Sequence, residues 1–120
     1  NIKIDVARKL LSLYKEGRLL KSYNLLHARV RDSRGGLRSK IGQKIGLLKD
    51  GRSVSPVKYQ SYRIARKVLI LDRRGLQLRQ VGVAEEDDTG RGFFLSEADM
   101  EELALLLRVG NEVEVRFGNQ

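Results

Sequence analysis

The apolar residues of this 120-residue chain recur at two different periods, and the change between them falls near residue 60. Ile4, Ala7, Leu10, Leu11 and Tyr14 follow i, i+3, i+4 spacing, the mark of one helix face. Leu19, Tyr23, Leu26 and Val30 repeat it over about 18–32, and Leu37, Ile41, Ile45 and Leu48 over about 37–49. Gly17, the Gly35-Gly36 pair and Asp50-Gly51 stand where such helices would stop, since glycine costs a helix about 1 kcal/mol relative to alanine. Gly42 and Gly46, four apart, would leave a bare strip on the third helix for close packing.

Past a connector over 51–60 that holds the single proline, Pro56, the period shortens to that of strands. Tyr62 to Leu71 and Leu76 to Ala84 read as a β-hairpin around Asp72-Arg73-Arg74-Gly75, with a bulge near Gln80. Phe93 to Leu95 reads as a short strand. Ser96 with Asp99 three residues on predicts a capped helix running toward Gly110, and Glu112 to Phe117 a closing strand. The sum is an α+β fold. An N-terminal helical subdomain of about three helices (1–60) is followed by a small antiparallel sheet with one C-terminal helix and a closing strand (61–120). At this length the two parts are expected to share one core.

Charge divides the chain at nearly the same place. Residues 1–67 carry 18 Lys/Arg against four acids, and residues 68–120 carry six Arg against 11 acids, within a net charge of +9. Such asymmetry speaks to partners more than to fold. The positive charge is densest from Arg29 to Lys67, and phosphate is the commonest counter-charge for such a belt. The residues expected to contact nucleic acid are Arg29, Arg31, Arg34, Arg38, Ser39, Lys40, Gln43, Lys44, Lys49, Arg52, Lys58, Tyr59, Arg63, Arg66 and Lys67. Arginine suits bidentate phosphate or guanine contacts. Tyr59 and Tyr62 offer rings for base stacking, whereas Tyr14 and Tyr23 fall on apolar stripes and read as core. The Gly35-Gly36 break before the third predicted helix makes Asp32 to Gly46 the groove-reading candidate.

These features predict a non-catalytic nucleic-acid-binding protein, with DNA favoured over RNA. Two other readings are a module whose basic half docks an acidic protein, and a metal-dependent nuclease. The nuclease is poorly served: Glu85, Glu86, Asp87 and Asp88 crowd into one loop, while catalytic metal sites draw ligands from several rigid elements. Cysteine is absent and His27 is the one histidine, which excludes disulfides, thiolate chemistry and histidine-rich metal centres. No cofactor and no metal are expected. A second copy or a protein partner is expected to use the leucine-rich C-terminal half. No membrane partner is expected, because no run approaches the ~18 apolar residues that span a bilayer. A cytoplasmic location is expected, or a nucleoid or nuclear one if the protein sits on DNA.

Overall fold

The computed structural model of the chain describes residues 1–30, 35–81 and 91–118. In chain order the elements are β1 (Ile2–Asp5), β2 (Leu10–Lys15), β3 (Arg18–Asn24), β4 (His27–Arg29), β5 (Gly36–Leu47) and β6 (Ser53–Val54). They continue with α1 (Tyr59–Ile64), β7 (Arg66–Leu71), β8 (Gln77–Gln80), β9 (Gly92–Leu95), α2 (Glu97–Leu106) and β10 (Glu112–Arg116). The strands form one curled sheet in the order β3-β2-β1-β10-β5-β7-β8-β9-β4, with β6 on β5. β1 runs parallel to β10 and β8 parallel to β9, and the other pairings are antiparallel.

The predicted N-terminal helical subdomain does not form, and its three segments are strands. Two local causes explain it. Glu16 and Gly17 both take positive φ (51° and 78°), which makes a two-residue turn of the kind whose twist suits a hairpin between β2 and β3. Ile2 and Ile4 on β1 then alternate inward against Leu13 and Leu11 on β2. On β5 the register slips between Ile41 and Gln43. Leu37, Ser39 and Ile41 are buried before the slip, and Lys44 and Gly46 pair with Leu69 and Lys67 after it. Alternation alone spaces Leu37 and Ile41 four apart, as a helix would, with Ser39 between them on the same face, whereas after the slip the buried position is Gly46 and not Ile45. Gly46 does serve close packing, but of a strand: a Cβ there would lie 2.6 Å from the Ala65 Cβ.

In the second half β7 and β8 form a hairpin, and the Ser96 hydroxyl accepts from the Asp99 amide at the start of α2 (3.2 Å). These elements belong to the same sheet as the first half, so the separate small antiparallel sheet is corrected too. The helix ends at Leu106, short of Gly110, and β8 ends at Gln80 without a bulge. The acidic residues Glu85 to Asp88 lie outside the described residues.

The core forms where the strands meet α2. Ile2, Leu11, Leu37, Leu69, Leu78, Phe93 and Val115 join Met100, Leu103 and Leu107 from α2 and its end in one cluster. Burying each large side chain contributes about 1.5–3 kcal/mol. α2 is tied into place from two sides: Lys44 on β5 donates to the Ala104 and Leu107 carbonyls (2.6 and 2.9 Å), while Lys21 and Tyr23 on β3 donate to Glu102 (3.0 and 2.9 Å). No helix among the described residues is long and apolar enough to cross a bilayer.

Candidate functional site

Two polar side chains are buried among the described residues, Ser39 and Lys67, and each organises a cluster. Lys67 lies on β7 in register with Gly46 of β5. Its ammonium donates to the Arg63 and Ala65 carbonyls (3.2 and 2.9 Å) and to the Glu101 carboxylate (3.1 Å). All three protons are used, and a carboxylate offsets the charge, which is what burial of an ammonium demands. The Tyr62 ring lies 4.9 Å beneath it. Burial, and next the Glu101 charge, push the Tyr62 hydroxyl up from its ordinary pKa. That hydroxyl is itself buried without a hydrogen-bond partner.

A groove of about 1010 Å³ opens beside this cluster. One wall is the β5–β6 turn with Lys49 and Arg52, another the segment Arg63 to Arg66, and a third the first turns of α2 with Glu97 and Glu101. Asp50 also lines it but is spent on Arg52 (2.7 Å), whose amide chiefly holds the Asp50 carboxyl below its usual range. Lys49, Arg63 and Arg66 therefore face the two acids of α2 across a space of ligand size, with Arg52 paired to Asp50 at its edge. That arrangement suits a ligand bearing both signs of charge.

The Ser39 cluster is a joint rather than a cavity. Ser39 Oγ donates to Asp72 (2.6 Å) and accepts from the Arg73 amide (3.1 Å), while the Lys40 amide also donates to Asp72 (3.1 Å). The Ser39 hydroxyl, then the Lys40 amide, hold the Asp72 carboxyl below its ordinary pKa. A shallow cleft of about 340 Å³ beside it mixes Arg38, Lys40 and Arg73 with Asp72 and Glu112, so its charges largely cancel.

The predicted basic belt is not one surface. Lys49, Arg52, Arg63 and Arg66 share the groove. Lys44 and Lys67 turn inward to carbonyls and a carboxylate, and Ser39 is committed to Asp72. Arg38 pairs with Glu114 (3.6 Å), Lys40 and Gln43 are exposed on β5, and Lys58 precedes α1, whose first residue is the exposed Tyr59. Arg29 lies on β4, at one end of the sheet order, against the Phe94 ring. Arg31 and Arg34 fall outside the described residues. Tyr62 packs against Gly46 and is not free to stack. Sequence reasoning missed Glu97 and Glu101. Their i, i+4 spacing on a predicted helix was the available signal, since it puts two acids on one face.

No known family's sequence model matches the chain, and no curated protein sequence does. Solved structures do share its fold. A cysteine-to-serine mutant of Enterococcus faecium L,D-transpeptidase superposes with a TM-score of 0.62 at 13% identity, over 95% of this chain and 48% of that one. For an L,D-transpeptidase (Yku) from Stackebrandtia nassauensis the TM-score is 0.62 at 17% identity, over 99% of this chain and 55% of that one. The catalytic domain of the E. faecium enzyme acylated by ertapenem gives 0.60 at 15% identity, over 95% of this chain and 94% of that domain. The chain thus spans about half the length of the first two and nearly all of the third. These neighbours are enzymes, and none of the three is a nucleic-acid binder, a nuclease or an acid-docking module. The DNA-binding reading, its two alternatives and the nucleic-acid or self-association partners are corrected accordingly. What the chain resembles, in its whole described architecture, is the fold of the L,D-transpeptidases.

Proposed function

We propose that this domain binds peptides of mixed L and D residues in the groove beside Lys67 and does not transfer them. The observation that carries the reading is the absence of cysteine from a chain that covers nearly all of an acylated L,D-transpeptidase catalytic domain. Neighbours of this fold are described as a carbamoyl enzyme, as acylated by ertapenem and as carrying a faropenem-derived adduct, and such adducts require a nucleophile. A thiolate serves well near neutral pH, whereas a hydroxyl needs an adjacent base. Among the described residues, the hydrogen-bonded hydroxyls of Ser39, Tyr23, Ser55 and Ser96 engage carboxylates or backbone, not an imidazole or amine.

The groove supplies what binding without chemistry requires. Arg63 and Arg66 take a ligand's carboxylate as charge-assisted hydrogen bonds, and Glu97 takes its amine. A short peptide of alternating L and D residues, with free amine and carboxylate, is expected to shift the amide resonances of the groove walls. Arg63→Glu/Arg66→Glu is expected to weaken that binding about tenfold or more, as loss of a charge-assisted bond of about 1.5–3 kcal/mol implies. Incubation with ertapenem should leave the protein mass unchanged. A covalent adduct would sink the non-catalytic reading, and an L,D-peptide that leaves the groove resonances unmoved would sink the peptide reading.

A further inference from the structure

We propose that the segment from Val57 through α1 docks the domain on an anionic membrane surface. The sequence between Asp50 and Asp72 contains no acid, yet holds Arg52, Lys58, Arg63, Arg66 and Lys67. The fold buries most of its end, from Ala65 onward, in the sheet and leaves Ser55 to Ile64 at the surface. α1 buries none of its residues, and Val57, Tyr59 and Ile64 keep 88%, 63% and 76% of their surfaces exposed. Three large apolar side chains therefore stand out within eight residues, on a short helix that gains nothing from displaying them.

Their neighbours decide what covers them. Lys58 sits between Val57 and Tyr59, Arg63 adjoins Ile64, and Arg66 begins the strand that follows. Of the acids near them, Asp50 is bound to Arg52 (2.7 Å) and Glu101 to Lys67 (3.1 Å), while Glu97 stands across the groove from Arg63 and Arg66. Apolar tips set among cations that outnumber the free acids beside them match a bilayer interface, where lipid phosphates meet the cations and the acyl boundary takes the apolar groups. Tyrosine, with a wet end and a dry one, is enriched at that depth. A polyanion such as nucleic acid offers the phosphates but no apolar phase for Val57 and Ile64. The surface is peripheral, since no helix among the described residues crosses a membrane.

Co-sedimentation with phosphatidylcholine vesicles, with and without phosphatidylglycerol, tests this. The protein is expected to partition onto the vesicles that contain phosphatidylglycerol and not onto the neutral ones, with affinity falling as salt rises. Val57→Asp/Tyr59→Asp, which leaves the groove walls intact, is expected to lower partitioning at least tenfold while the circular dichroism spectrum stays unchanged. Absence of partitioning at low salt overturns the proposal. So does undiminished partitioning by the double variant, or equal loss of heparin binding in it, either of which reduces the surface to a plain cationic patch.

Discussion

The hydroxyl of Ser39 donates to Asp72 and accepts from the Arg73 amide, so one buried oxygen holds β5 against the β7–β8 turn. Ser39→Ala leaves that amide and a carboxylate oxygen short of a partner. The cost should be about 1–3 kcal/mol, read as a lower denaturant midpoint at unchanged slope. The same variant removes the first cause of the depressed Asp72 pKa, so its carboxyl resonance should titrate nearer the ordinary carboxylate range. An Asp72 titration that does not move would show that the Lys40 amide holds the charge by itself. Ser39 drew notice in the sequence because Arg38 and Lys40 flank it, which suggested a phosphate contact. Its partner lies 33 residues away, and nothing in the local pattern names that partner. Lys67 misled in the same way: a cation in a basic run reads as exposed until two backbone carbonyls and a glutamate on a helix take up its ammonium.

At the scale of elements, Lys44 closes the C-terminal end of α2 from the strand beneath it, where free carbonyls and the helix dipole both favour a cation. Burial, and then Arg108, lower its pKa. Lys44→Met should leave those carbonyls unpaired, cost about 1–3 kcal/mol and raise hydrogen exchange in the last turn of α2 before the sheet exchanges. Uniform exchange across helix and sheet would count against a local capping role. Elements were unevenly legible. The Ser96 cap announced α2, and the Asp72–Gly75 turn announced the β7–β8 hairpin. The first half failed because adjacent apolar residues such as Leu10 and Leu11 fit either period, and because every second inward position of a strand, as Leu37 and Ile41, falls at the i, i+4 spacing of a helix face. Positive φ at Lys9 and Glu16, neither of them glycine, marks turns that composition did not signal.

For the whole molecule, pH is the lever that reaches several joints together. The carboxyls of Asp72 and Glu102 are held below their usual range, the latter by Lys21 and then Tyr23. Their folded forms release the proton more readily than the unfolded chain does. Stability from these groups is therefore full above about pH 4–5, and is lost as pH falls through their folded values. Thermal midpoints should decline on that acid limb, and Glu102→Gln should flatten it. At the alkaline end Tyr23 is raised, first by burial and then by Glu102, so its contribution persists to about pH 10 and is lost above it. A flat melting profile from pH 7 down to pH 3 would contradict the assignment. The groove itself was only partly legible: its cations stood out as a charge block, but its acidic wall belongs to the half of opposite sign, and only the folded sheet joins the two. One pairing also governs how such a chain must be made. Among the described residues the last strand in chain order, β10, lies between β1 and β5. Until residues 112–116 are made, β1 and β5 each lack the neighbour that joins them, so the sheet cannot close before its last described strand arrives.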